Sequence, residues 1–279
     1  MKKNNENLGV NHEISPSNLW LFYRRGALGD TLLTFPILEL LKRSGKKIWA
    51  VGNTDYFNIA KEIGWVDFLS SEIPKREFQG EILISSEGKV RPFPESRIWI
   101  VEHYMKSIGI SGKFSKTLPL EPMDKSPLEG YAVIHPSSGS PKKNAPLELF
   151  FKIEKFLKEE GLKTIYLIGE ADFWLKDYLK KYYESLSPLE IARALKSSLL
   201  FVGNDSGMAH LASYCGLPTF IFYGPSDPIV WKPIGEKVYQ ISLSLSCSPC
   251  FPEVCMERKC FNEELLYKAF LKAYRERVH

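Results

Sequence analysis

The sequence contains no apolar run approaching the roughly 18 residues that a membrane-spanning helix requires. Its start, Met1 to Ser17, is polar and rich in Asn, and lacks the apolar core of a secretory signal. These absences lead us to expect a cytoplasmic protein, touching the inner face of a membrane only peripherally, with residues 1–17 as a mobile tail. Charge of one sign is also scarce. The 37 Lys and Arg stand against 33 Asp and Glu, a net charge of +4, which is too small to argue for nucleic acid. No Gly-x-Gly-x-x-Gly follows the first strand pattern and no Gly-Lys-Ser/Thr closes a phosphate loop, which disfavours a Rossmann dehydrogenase and a P-loop enzyme. There is no Asp-x-Asp pair to hold a divalent cation, and no low-complexity stretch or short repeat.

What is present fits a large core. Apolar residues make up 44% of a 279-residue chain, enough for one large domain or two of ordinary size. Strand patterns at Leu19–Tyr23, Lys47–Val51 and Glu81–Ser85 alternate with helical ones at Leu32–Leu41, Asn58–Ile63 and Ser96–Ile108. Pro36 bends the first of these helices or sits near its start. From Ser111 to Gly130 the period is lost among Pro, Lys, Ser and Asp, which marks a linker. A second alternation follows, with strands at Ala132–His135, Thr164–Ile168, Leu199–Val202 and Thr219–Phe222. Its helices are expected at Leu147–Glu160, Ala171–Tyr183, Pro188–Leu195 and Asn262–Arg277. Strand–helix alternation indicates parallel sheets with crossovers, so we expect two doubly wound, Rossmann-like α/β halves facing a cleft, divided at 18–125 and 126–279. The last helix is a candidate to pack back onto the first half.

Three stretches carry candidate chemistry. Arg25-Gly26-Ala27-Leu28-Gly29-Asp30 follows the first strand, and places Asp30 at or just before a helix N-terminus, where it is either a cap or a general base facing the cleft. His135-Pro136-Ser137-Ser138-Gly139-Ser140-Pro141-Lys142-Lys143 offers hydroxyls, backbone donors and ammonium groups suited to phosphate. Gly203-Asn204-Asp205-Ser206-Gly207-Met208-Ala209-His210 reads as a strand end, a capped turn and a helix running to about Cys215. The free N–H groups of that helix suit a diphosphate. Asp205 would repel one directly, so it is expected to cap the helix or bind ribose.

Together, with Gly216-Leu217-Pro218-Thr219 and Gly224-Pro225-Ser226-Asp227-Pro228, these stretches resemble glycosyltransferase family 9, the ADP-heptose:lipopolysaccharide heptosyltransferases. The resemblance implies a GT-B fold and inverting transfer of heptose from ADP-heptose to a lipopolysaccharide core acceptor. It implies Asp30 as catalytic base and Arg25, Gly26 and Gly29 as the acceptor-side turn. It implies a donor site of Ser137, Ser138, Lys143, Asn204, Asp205, Ser206, Gly207, Met208 and His210, with either Glu170 or Asp172 near the donor sugar or ribose. The partners it implies are a nucleotide-sugar donor and a lipid A-core acceptor. No cofactor is expected, and the missing Asp-x-Asp pair leads us to expect metal-independent catalysis. Ala145 stands where the family usually has Trp, and the compressed stretch Tyr183–Leu189 leads us to expect one strand fewer than in longer relatives.

Cys247-x₂-Cys250-x₄-Cys255-x₄-Cys260 is readable as reduced thiols, as one or two disulfides, or as a zinc site. The readings that compete with transfer are a non-catalytic nucleotide-sugar-binding protein and a sugar-nucleotide hydrolase or epimerase.

Overall fold

The structure, a computed structural model, describes residues 18–248, 250–251 and 253–278. The expected tail, 1–17, lies outside them. In chain order the elements are β1 (Leu19–Arg24), α1 (Leu28–Leu32), α2 (Phe35–Arg43), β2 (Lys47–Gly52), α3 (Thr54–Glu62), β3 (Phe68–Ser70), β4 (Gly80–Ile84) and α4 (Ile100–Ser107). There follow β5 (Tyr131–His135), α5 (Leu147–Glu159), β6 (Lys163–Ile168), β7 (Tyr182–Glu184), α6 (Pro188–Leu195), β8 (Leu200–Asn204), α7 (Gly207–Tyr214), β9 (Thr219–Tyr223), β10 (Val238–Ser242) and α8 (Glu263–Val278).

The strands form two parallel sheets, ordered β3-β2-β1-β4 and β10-β9-β8-β5-β6-β7. The second is the doubly wound order, and its direction reverses between β5 and β8, where ligands settle beyond the strand ends. In the first sheet the corresponding reversal lies between β1 and β4. β8 and β9 are buried at every residue because helices cover both faces, which explains their unbroken apolar and aromatic runs.

Several expectations need correction. The helix around Pro36 is two helices, with Pro36 in the first turn of α2, where its missing N–H removes no bond. Asp30 lies inside the first turn of α1, and Ala27 is the N-cap. The helix expected over Ala171–Tyr183 is a 3₁₀ turn at Glu170–Asp177 followed by β7, so the strand thought missing is present, three residues long. β3 and β10 were not foreseen, because short or half-exposed edge strands have too little alternation to register.

The stretch 111–130 contains no helix or strand, yet it is packed. Leu118, Leu120 and Leu128 are buried, and the N–H groups of Leu118 and Met123 reach the carbonyls of Tyr214 (2.7 Å) and Arg193 (3.0 Å). α8 lies on α5 and β10 of its own sheet rather than on the first half. Phe270 and Tyr274 meet Phe156 edge-on at 6.0 and 5.2 Å, and Lys152 pairs with Glu264 at 2.8 Å.

One apolar cluster runs from Phe22, Leu32 and Phe35 of the first half to Ile191, Leu211 and Tyr214 of the second. Its seam is α1 against α7. A Cβ on Gly207 would lie 2.9 Å from Leu28 Cβ and 3.2 Å from the Gly29 nitrogen, so only hydrogen fits there. Gly207→Ala is therefore expected to destabilise the fold by about 1–3 kcal/mol through overpacking. An unchanged midpoint in urea denaturation would show the seam to be looser than this.

Candidate active site

Each half delivers its candidate residues from the carboxyl ends of its central strands. Where β1 ends, Arg24 is buried and its Nη2 lies 3.1 Å from Asp30 Oδ1. Asp30 Oδ2 accepts the Ala27 N–H at 3.1 Å, so the carboxylate is held on both oxygens. Gly26 has no room for a side chain, since a Cβ would come within 2.9 Å of Asp30 Cβ. A Cβ on Gly29 would press on the His210 ring at 3.0 Å. The turn thus brings Asp30 up against α7 and the second half.

Where β8 ends, Ser206 caps α7 by accepting the Ala209 N–H at 3.3 Å. Asp205 is 3% exposed, and its Oδ2 lies 2.7 Å from Lys143 Nζ. Burial raises the Asp205 pKa, but the neighbouring Lys143 ammonium outweighs it and holds the carboxyl below its usual value. Asn204 accepts the Ala145 N–H at 3.0 Å, which fixes the loop 137–146 to the strand end at the position where the expected aromatic is absent.

A buried relay lies beneath the turn. His135 Nε2 is 2.9 Å from Asp172 Oδ2, and His135 Nδ1 is 3.4 Å from Ser206 Oγ. Burial raises the Asp172 pKa, yet His135 and the Gly169 N–H bring it down to about 2. Asp172 therefore orients His135 and, through it, Ser206. The side chain of Glu170 lies outside the described residues.

His210 sits on α7 with Nε2 3.9 Å from Asp205 Oδ1. Burial pushes its pKa from 6.5 down to about 4, and Lys143 adds to the fall against the pull of Asp205 and Asp30. The folded state therefore binds this proton less readily than the unfolded chain. The contribution is fully present above pH 6.5 and is lost as the pH falls toward 4. It amounts to about 3 kcal/mol, and His210→Gln is expected to flatten the stability–pH curve across that window. Asp172 contributes lower down, where stability present above pH 3.8 is lost as the pH falls toward 2. Denaturant midpoints taken between pH 4 and 7 check the His210 effect. A slope unchanged in the variant would assign it elsewhere.

These groups surround a cleft of about 820 Å³ lined from both halves. Of the residues singled out in the sequence, Asp30, Lys143, Asp205, Ser206, Gly207, His210 and Gly29 line it. Ser137, Ser138, Asp172, Asn204 and Met208 are not among its lining residues. Ser138 instead braces its own loop through Asn144 Oδ1 (2.7 Å), and Met208 lies over Gly169. Arg25 points elsewhere, held by Glu72 at 2.6 Å and the Ser71 carbonyl at 2.8 Å.

Sequence reasoning missed the wall made by Phe93, Glu95, Arg97, Trp231, Phe251 and Glu253. Asp227, quoted only as part of a motif, is its anchor. It grips Arg97 at 2.6 and 3.2 Å across the two halves, and Trp99 Nε1 donates to the Lys232 carbonyl nearby. Cys247, Cys250, Cys255 and Cys260 are free thiols. Among the described residues no group of three or more His, Cys, Asp or Glu is arranged to hold a metal. Their loop is tied to the loop 137–146 by Arg258, which donates to the Asn144 carbonyl.

Two parallel-sheet halves whose strand ends face one cleft make this a GT-B type of structure. A family model for glycosyltransferase family 9 (heptosyltransferase) matches residues 105–261, and the chain belongs to that family. It is therefore a glycosyltransferase of the heptosyltransferase type. A 70-residue segment is 29% identical to lipopolysaccharide heptosyltransferase 1 of Pseudomonas aeruginosa, spanning 25% of this chain and 20% of that protein's length. The fold is similar to a glycosyl transferase family 9 structure from Veillonella parvula (TM-score 0.70, 18% identity, 93% of this chain and 98% of that one). It is also similar to the E. coli heptosyltransferase WaaC with ADP (TM-score 0.66, 16% identity, 91% of this chain and 99% of that one). A third similar structure is E. coli ADP-heptose lps heptosyltransferase II (TM-score 0.64, 12% identity, 94% of this chain and 100% of that one).

Proposed function

We propose that this chain is an inverting, metal-independent transferase moving heptose from ADP-heptose to a lipopolysaccharide inner-core acceptor. In this reading residues 18–125 present the acceptor and 126–279 grip the donor. One observation carries it: the Asp30 carboxylate opens into the same cleft as Lys143, Ser206 and the N-terminus of α7. Asp30 takes the proton of the acceptor hydroxyl as its oxygen attacks the anomeric carbon, opposite the departing ADP. Negative charge grows on the diphosphate, where the Lys143 ammonium and the first N–H groups of α7 oppose it. These groups occupy the role that a divalent cation plays elsewhere.

No described helix is long and apolar enough to cross a membrane, which is compatible with the proposed cytoplasmic site and peripheral contact with a lipid-borne acceptor. The WaaC structure with ADP and a second with ADP-2-deoxy-2-fluoro heptose support the choice of donor. The test is ADP release from ADP-heptose with and without a truncated lipopolysaccharide core, in EDTA. Acceptor-dependent release that persists in EDTA is expected. Release independent of acceptor would make the protein a hydrolase, and binding without release a nucleotide-sugar sensor.

A further inference from the structure

A second cavity, of about 710 Å³, lies in the first half and shares no lining residue with the cleft. Trp20 at the start of β1, Leu40 near the end of α2 and Ile108 just past α4 line it, so it sits at the amino ends of the strands, away from Asp30. It exists because β4 is the last strand of its sheet. Beyond β4 the pairing among the described residues is a single bridge between Ile84 and Val90. α4 stops at Ser107, and Gly109, at a φ of 69°, turns the chain so that the Ile110 N–H reaches the Met105 carbonyl at 3.0 Å. Val90 and Ile110 are thereby brought onto the lining.

The lining divides by chemistry. Leu40, Leu41, Ile82, Leu83, Val90 and Ile110 give it an apolar wall, a surface that gains by excluding water. Lys46 and Lys89 are its cations, against a single acid, Glu81. The Lys46 ammonium lies over the Trp20 ring, 5.1 Å from its centroid, which holds the charge at the wall. Neither ammonium takes part in an ion pair among the described residues. The Ser44 and Ser107 hydroxyls already donate to the Leu41 and His103 carbonyls at 2.7 and 2.8 Å. That leaves the two lysines, with Ser111, as the donors open to a ligand. The volume is that of a small-molecule site, and the lining matches a molecule with an apolar body and an anionic end.

We propose that this cavity binds a single-chain amphiphile with an anionic head, in its simplest form a fatty carboxylate. The chain lies along Leu40, Ile82 and Ile110, and the head meets Lys46 and Lys89. The inference does not depend on the transferase reading, because the two sites have no residue in common. A filled cavity braces α4 against β4, so binding stabilises the folded chain.

Calorimetry on the full chain tests it, with laurate as the probe and dodecyltrimethylammonium, of matching chain length and opposite charge, as its counterpart. Both are used below their micelle concentrations. Laurate is expected to bind saturably, about tenfold more tightly than the cation, and to raise the midpoint of urea denaturation. Lys46→Gln with Lys89→Gln weakens laurate about tenfold, and Ile110→Trp, which fills the cavity, abolishes its binding. The urea transition of each variant without laurate reports whether it folds. Should Ile110→Trp fail to fold, the lysine pair, whose side chains hold no structural contact beyond the Trp20 ring, decides alone. The inference is overturned if laurate does not bind, if the cation binds as well, if the lysine pair changes nothing, or if a folded Ile110→Trp binds laurate as before. Sedimentation with phosphatidylglycerol vesicles that needs Lys46 and Lys89, in a protein that does not bind laurate, would overturn it in favour of a bilayer-contact surface.

Discussion

Asp30→Asn is expected to lower kcat for heptosyl transfer by about 10²- to 10⁴-fold, the range that removal of a positioned general base produces. ADP affinity is expected to stay within about threefold, because the proposed diphosphate contacts, Lys143 and the start of α7, sit on the other half. Asn is the better probe because it still offers an oxygen to the Ala27 N–H. Asp30→Ala removes both bonds and leaves Arg24, 6% exposed, without its carboxylate. That variant should lose several kcal/mol of stability, about 3 or more for a broken buried pair, and its inactivity would be harder to interpret. Calorimetry with ADP and single-turnover kinetics on Asp30→Asn separate the two effects. Retained turnover would remove Asp30 from the mechanism.

Lys143→Ala should weaken ADP binding by about 10- to 100-fold, the worth of one charge-assisted contact to a diphosphate. It should also destabilise the apoprotein by about 3 kcal/mol, since Asp205 is then buried without its counter-ion. The double variant Lys143→Ala with Asp205→Asn distinguishes these consequences. With the buried charge removed, most of the stability is expected to return, while ADP affinity stays low. Recovery of ADP affinity in the double variant would mean that Lys143 serves the fold and not the donor. The pair has a physical sense in the empty protein. Asp205 fixes the ammonium at the edge of the cleft, and the ammonium keeps a buried carboxylate ionised.

The misread elements share a cause. The 3₁₀ turn at Glu170–Asp177 and the edge strand β7 lie in a stretch whose aromatic residues Phe173, Trp174 and Tyr178 remain exposed. Apolar residues that do not face the core break the rule by which periodicity reports structure. The linker between the two sheets is packed rather than loose, for a complementary reason. Its Leu118, Leu120 and Leu128 are too few to sustain a helix or strand period, yet each is buried.

What the chain alone determined is local: buried strands that need both faces covered, a Ser cap at the start of α7, and glycines where no side chain fits. From these come two parallel sheets, the family, and the Asp30, Lys143 and Asp205 positions. What only tertiary structure decided is which of those groups share a cleft and which partner each side chain takes. Arg97 and Asp227 are 130 residues apart, and nothing in either neighbourhood announces the other. The cleft wall of Phe93 and Trp231 and the Ser206–His135–Asp172 relay are of the same kind. Such contacts exist because close packing of α1 on α7 sets the two halves at one distance, and sequence spacing carries no measure of that distance.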